Sequence, residues 1–348
     1  MAQVYKKYTQ LEHVLERPDT YVGSLAKDTD SHWVLNDERS KVVEKLTENV
    51  PGLYKIYDEI LVNAIDQTTL DKDVETIKIE VTEDGYISVM NTGGGIPVEK
   101  HEEYGMNVPE LIFGNLLTSS NYNDEQKRTT GGRNGYGAKL ANIFSVEFIV
   151  DIVHQESGTR YIQKWSKNMT EVSKPKITKV KAKKGHVSIK FLPEYRRFGM
   201  DGINKDTVDI FQRRAYDACA CTPDHVKVYF NGEKLGIKSF EKYVDMYIGS
   251  KTDKQRVFYS MPNWDVCVCA SDHGFKQISF VNGIHTRMGG SHVESVVRNL
   301  VTKLSELSKQ GKNNTGLKPQ FIKDHMFVFV KATIVNPTFS SQTKDECT

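Results

Sequence analysis

The run Gly131-Gly132-Arg133-Asn134-Gly135-Tyr136-Gly137-Ala138-Lys139 constrains this chain more than any other, because it closes a loop just before an apolar helical pattern. Glycines at this density let the backbone approach a ligand closely and turn its N–H groups toward it. The helix that follows adds the positive end of its dipole and its unpaired N–H groups. Arg133 and Lys139 set a flat fork and a mobile point charge beside that surface. Polyphosphate is what such a surface suits. Spacing excludes two familiar phosphate motifs. Lys139 is followed by Leu140 rather than Ser or Thr, and the glycines run G-x-x-G-x-G instead of forming the dinucleotide fingerprint.

Upstream, Leu53, Ile56, Tyr57, Ile60, Leu61, Ala64 and Ile65 recur at helical spacing and give one wide apolar face. Glu59, Asn63 and Asp66 fall at i, i+4 and i+7, a single polar stripe on the narrow side. A carboxylate one turn from an amide oxygen suits a water held for attack beside a metal ion. A solvated polar stripe would read the same way. Two alternating runs, Thr76 to Val81 and Tyr86 to Met90, are joined by Glu83-Asp84-Gly85 and predict a hairpin. The second run enters Asn91-Thr92-Gly93-Gly94-Gly95-Ile96-Pro97, either a base-recognition corner or a plain glycine turn.

A chain of 348 residues predicts two domains. Charged residues make up 26% and the formal net charge is +2, so nothing forces a polyanionic partner. The richest basic stretch, Lys174 to Lys184, lacks interleaved aromatics and reads as a solvated loop. Cys219 and Cys221, then Cys267 and Cys269, are C-x-C pairs without zinc spacing, so the five cysteines are expected to be reduced. No signal peptide opens the chain, and no apolar run approaches the ~18 residues of a membrane span. The expectation is an intracellular protein.

The ordered set Glu59-x-x-x-Asn63, Asn91-x-Gly93-x-Gly95 and Gly132-x-x-Gly135-x-Gly137 resembles the ATP site shared by gyrase, MutL, heat-shock chaperones and histidine kinases. Longer strings narrow the resemblance to eukaryotic-type type IIA DNA topoisomerases, viral relatives included. These are Gln10 to His13 with Arg17 to Tyr21, Leu116 to Tyr122, Gly131 to Lys139, Gln277 to Asn282, Met288 to Val293 and Ser341 to Lys344. A mismatch-repair ATPase or a chaperone fits the ATP motifs but not the outer strings.

That resemblance implies roles. Glu59 is the expected general base, Asn63 the Mg²⁺ ligand and Asn91 the adenine reader. Ser119, Ser120 and Asn121 imply ribose and phosphate contacts, while Arg133, Asn134, Gly135, Tyr136, Gly137 and Lys139 form the triphosphate cradle. Gln342 and Lys344 match the QTK loop, whose lysine reaches the γ-phosphate from the second domain. Tyr5 lies in an arm that touches the partner subunit's nucleotide. The cofactors implied are ATP and Mg²⁺, and the partners a second copy on ATP binding and, weakly, double-stranded DNA. Such a protein works in the nucleus if cellular, or in host cytoplasm, viral factory or virion if viral.

The implied fold class is α/β, an α+β sandwich. A GHKL (Bergerat-type) ATP-binding domain over 25–238 follows an arm, 1–24, exchanged in the dimer. A transducer domain of ribosomal-S5-like type, with a right-handed β-α-β crossover, occupies 239–348. Its long helix is expected from Ser291 to Lys309 with Val293, Val296, Val297, Leu300, Val301 and Leu304 inward. Two departures stand out. Val187 takes the place of a family threonine, and Lys309, Lys312 and Lys318 are scattered where relatives carry consecutive lysines. Sequence ends just after Lys344, so the expectation is a fragment that hydrolyses ATP but does not cut DNA. The alternative is a slow or non-catalytic nucleotide-dependent clamp.

Overall fold

Twenty residues from Pro51 to Leu70 form the helix on which the first half of the chain is built. Pro51 opens it without sacrificing a hydrogen bond, since the first N–H groups of a helix have no intrahelical acceptor. Its apolar residues are buried as the periodicity predicts, but so are Lys55, Asp58, Glu59 and Asp66. The helix is therefore enclosed on its polar side as well.

The computed structural model describes residues 6–118, 127–132, 135–310 and 316–348. Its elements begin with α1 (Gln10–Glu16), β1 (Asp28–Leu35), β2 (Val42–Asn49), α2 (Pro51–Leu70), β3 (Thr76–Val81) and β4 (Ile87–Gly93). Next come α3 (Val108–Gly114), α4 (Gly137–Ile143), β5 (Ser145–His154), β6 (Thr159–Ser166), β7 (Glu171–Val172), β8 (Lys176–Lys179) and β9 (Gly185–Pro193). Then follow α5 (Lys205–Cys221), β10 (Lys227–Phe230), β11 (Glu233–Lys234), α6 (Phe240–Ile248), β12 (Arg256–Met261), β13 (Trp264–Ala270) and β14 (Lys276–Val281). The last are β15 (Ile284–His285), β16 (Gly289–Gly290), α7 (Ser291–Gln310), α8 (Pro319–Asp324), β17 (Met326–Ala332) and β18 (Glu346–Cys347).

Among the described residues the larger sheet has the order β11-β10-β3-β4-β9-β5-β6-β7, with β8 also on β6. Ile77, Ile79 and Val81 of β3 are buried while their neighbours are not, the alternation of a sheet with one covered face. Helices α2, α4 and α5 supply that cover. The second sheet runs β12-β13-β17-β14-β15. β14 and β17 pair in parallel, and the chain between them forms α7 and α8, so the expected crossover unit is present. β17 is central and apolar on both faces. Phe327 and Phe329 join the main core with the Tyr247 ring, whereas Val328 and Val330 pack against Val293, Val297 and Ile322.

Two expectations change. Leu304 does not face inward: it is 42% exposed, although Val293 and Val297 are buried. A helix of 20 residues spans about 30 Å, while the seven-residue β17 beneath it covers about 23 Å, so α7 overhangs its sheet. The arm is also less free than a polar 1–24 segment suggests. Thr9 and Glu12 form a capping box that starts α1, and Val14 and Val22 are buried in the chain's own core.

The two sheets are joined by buried charge. Arg214 on α5 is fully buried; its Nε donates to Asp58 Oδ1 at 2.7 Å and its terminal nitrogen to the Gly283 carbonyl at 2.8 Å. Arg213 pairs with Asp217, which also accepts from the Tyr243 hydroxyl at 2.6 Å. Removing one member of such a pair strands the other. Arg214→Met is expected to cost about 3–5 kcal/mol in urea unfolding at pH 7. A loss below about 1 kcal/mol would show that Asp58 is not held by this contact.

Candidate active site

Glu59 sits in the third turn of α2 with 3% of its surface exposed. Two ammonium groups meet its carboxylate. Lys344 Nζ lies 3.1 Å from Oε1 and 3.4 Å from Oε2, and Lys55 Nζ lies 2.7 Å from Oε1. Burial alone would raise the carboxyl's pKa, but the charges of Lys344 and Lys55 outweigh it and hold the group at about 2. Glu59 is thus a buried carboxylate kept ionised by cations from two distant parts of the chain.

The glycine loop supplies the third wall. A Cβ on Gly137 would lie 2.2 Å from Glu59 Oε2, so only glycine lets the start of α4 come this close to the carboxylate. Asp66, on the same stripe as Glu59, anchors the loop instead of facing solvent. Its two oxygens accept from the backbone N–H groups of Gly131 and Gly132 at 2.8 and 3.0 Å. Burial raises its pKa to about 6 despite those bonds. Lys139 is almost fully buried, and burial lowers its pKa to about 8. It donates to the carbonyls of Thr118 at 2.7 Å and Gly135 at 2.5 Å, which ties the two ends of the loop region together.

Asn63, one turn beyond Glu59, is half-buried and its amide has no hydrogen-bond partner among the described residues. Asn91 is buried near the end of β4 and donates to the Thr92 carbonyl. Val187 lies directly opposite Asn91 in the β4–β9 ladder, so the residue that departs from the family pattern shares the sheet face with the expected base reader. The adjoining turn is shaped by backbone packing. Gly95 has φ +80° and a Cβ there would lie 2.2 Å from the Val153 carbonyl, while Asp71 accepts from the Gly94 N–H at 2.7 Å.

The QTK loop is delivered by β18, which pairs in parallel with β16 just ahead of α7. Lys344 has φ +61°, turning its side chain inward to Glu59, and Gln342 is half-buried nearby in sequence. Tyr136 packs its ring 5.7 Å from Tyr21, linking the loop to the segment after α1. Ser119, Ser120, Asn121, Arg133, Asn134 and Tyr5 lie outside the described residues. Sequence reading missed Lys55 and Asp71, and gave Asp66 no task of its own. The available signal for Lys55 was its place four residues before Glu59; for Asp71 there was none beyond its position at the helix end.

The chain is similar to known proteins over its whole length. Residues 48–168 match the model of the histidine kinase-, DNA gyrase B-, and HSP90-like ATPase family, and residues 229–348 match the DNA gyrase B family. The chain is 44% identical to DNA topoisomerase 2 of Candida albicans over all of its own length and 25% of that protein. It therefore spans about a quarter of the curated relatives it matches. The crystal structure of the ATPase region of Saccharomyces cerevisiae topoisomerase II superposes with a TM-score of 0.94 at 42% identity, covering 99% of this chain and 90% of that one. The ATPase and transducer domains of the Balamuthia mandrillaris enzyme give 0.94 at 40% identity, covering 99% and 89%.

The pairing of Glu59 has a measurable signature. A carboxyl held at about 2 rather than its ordinary 4.5 stabilises the fold fully above about pH 4.5, and the contribution is lost as pH falls through about 2. The stability gap between wild type and Glu59→Gln is expected to shrink as urea unfolding is repeated from pH 5 toward pH 3. A gap constant with pH would contradict the ionised pairing.

Proposed function

The chain belongs to the ATPase region of the eukaryotic-type type II DNA topoisomerases, and on that premise we propose that it is an ATP-operated dimerisation gate. Glu59 accepts a proton from the attacking water as the water oxygen bonds to the γ-phosphorus. The bond from that phosphorus to the β–γ bridging oxygen breaks, leaving ADP and inorganic phosphate. Phosphoryl transfer asks mainly for positioning and charge neutralisation, and the glycine loop before α4 turns backbone N–H groups to the phosphates. Lys344 exchanges its contact with Glu59 for the γ-phosphate, which couples the presence of that phosphate to the seating of the second domain. The observation that carries this reading is the Lys344–Glu59 pair itself, made across 285 residues against the loop wall at Gly137.

The residues present also fit a magnesium ion. Mg²⁺ is usually held by one or two side-chain oxygens plus substrate phosphates, and among the described residues no cluster of three His, Cys, Asp or Glu competes for it. Asn63, with its unpartnered amide a turn from Glu59, would hold it. The ion would supply charge neutralisation across the phosphates. Asn91 reads the adenine edge, with Val187 beside it contributing no hydroxyl. The division into an arm over 1–24, an ATP-binding domain over 25–238 and a transducer over 239–348 follows the same reading. So do dimerisation on ATP, passage of a DNA duplex in the whole enzyme, and a nuclear location. Among the described residues no helix is long and apolar enough to cross a membrane.

Solution mass with Mg²⁺, with and without a non-hydrolysable ATP analogue, tests the gate together with ATP turnover. Wild type and Glu59→Ala are both expected to convert from monomer to dimer, while Glu59→Ala loses about 10²-fold or more in turnover. Lys344→Ala is expected to dimerise more weakly. Wild-type turnover in Glu59→Ala would leave a nucleotide-dependent clamp without this base, and undiminished dimerisation in Lys344→Ala would remove the sensor role.

A further inference from the structure

Lys55 is 4% exposed and lies one turn before Glu59 on α2. Local helix energetics do not ask for it there. On an exposed helix the favourable order puts the glutamate before the lysine, and this pair is reversed. A buried ammonium is costly unless paired. Its charged neighbours are Glu59 at 2.7 Å and, more distantly, Asp58 at 4.0 Å. Asp58 is already held by Arg214, so Lys55 is left for Glu59.

The two lysines treat the carboxylate differently. Lys55 lies nearest Oε1, at 2.7 Å, whereas Lys344 spans Oε1 and Oε2 from a loop at the far end of the chain. Oε2 is the oxygen that borders Gly137. Resting on the proposal that Glu59 is the base, we infer that Lys55 is its permanent counterion and positioning residue. Lys55 binds Oε1 and turns Oε2 toward the glycine loop, so that Glu59 stays ionised and aimed when Lys344 moves to the phosphate. Without Lys55, that movement would leave a buried carboxylate with no cation, and burial would favour its protonated, inactive form. The other titrating groups around it are acidic: Asp58 and Asp66 on α2, and Asp345 beside the QTK lysine.

The pH dependence of kcat for ATP hydrolysis by this chain tests the assignment, using Lys55→Gln, Lys55→Arg and Glu59→Gln beside wild type. Lys55→Gln is expected to move the acidic limb up by more than about one unit, a loss of about tenfold or more on that limb. Its analogue-driven dimerisation should be unchanged, a combination that a purely structural lysine would not produce. Lys55→Arg, which keeps the charge, should retain the wild-type limb; a raised limb there overturns the inference even if Lys55→Gln does not fold. So does a wild-type profile in Lys55→Gln while Glu59→Gln is inactive. Full turnover in Glu59→Gln instead overturns the underlying base assignment, a distinguishable failure.

Discussion

The structure depends on the burial of one ionised carboxylate. Glu59 is inside the protein, and a lone carboxylate there would be neutral. Its charge persists because cations reach it from its own helix and from a loop 285 residues later. From Lys344 the alternation continues through Glu59, Lys55 and Asp58 to Arg214, whose guanidinium donates to the Gly283 carbonyl at the edge of the second sheet. One ladder of charge therefore runs from the QTK loop through the site to the contact between the two sheets.

Such ladders are weak evidence of stability, because desolvation offsets most of the attraction. Apolar replacements of similar volume would hold the sheets together at least as well. What charge adds here is specificity of alignment. Each carboxylate accepts only from a donor at one distance and direction, so α2, α5 and the Gly283 turn are fixed in one register. The aromatic contacts of Tyr243 and Tyr247 with Phe280, Phe327 and Phe329 supply the apolar part of the same junction.

Much of this was legible in the sequence, and the reasons differ by element. The periodicity of α2 and the hairpin of β3 and β4 are local patterns, and each formed where its pattern placed it. The hairpin of β1 and β2 was missed because β2 buries only Val42 and Thr47, too little alternation to read. Leu304 was misjudged because periodicity reports a helix face but not how far the partner sheet extends. For the site, the motifs singled out Glu59 and Lys344, which the fold brings together. Lys55 and Asp71 escaped because their meaning lies in which oxygen or N–H they meet, and spacing carries no such information.

A contact can drive a change of state only if it differs between the states. Lys344 satisfies that condition because its partner in this structure is an anion the protein owns, and the proposed alternative is an anion that hydrolysis removes. The energy available to the gate is then the difference between two ion pairs of the same lysine, not the strength of either. Moving an equilibrium from 1:99 to 99:1 needs about 5.5 kcal/mol of such difference, more than one exchanged ion pair ordinarily supplies. The counterion role proposed for Lys55 would enlarge the share available from Lys344, because it would spare Glu59 the full cost of being abandoned. By that reasoning the proposed role of Lys55 on α2 is what would let Lys344 of the QTK loop serve as a sensor.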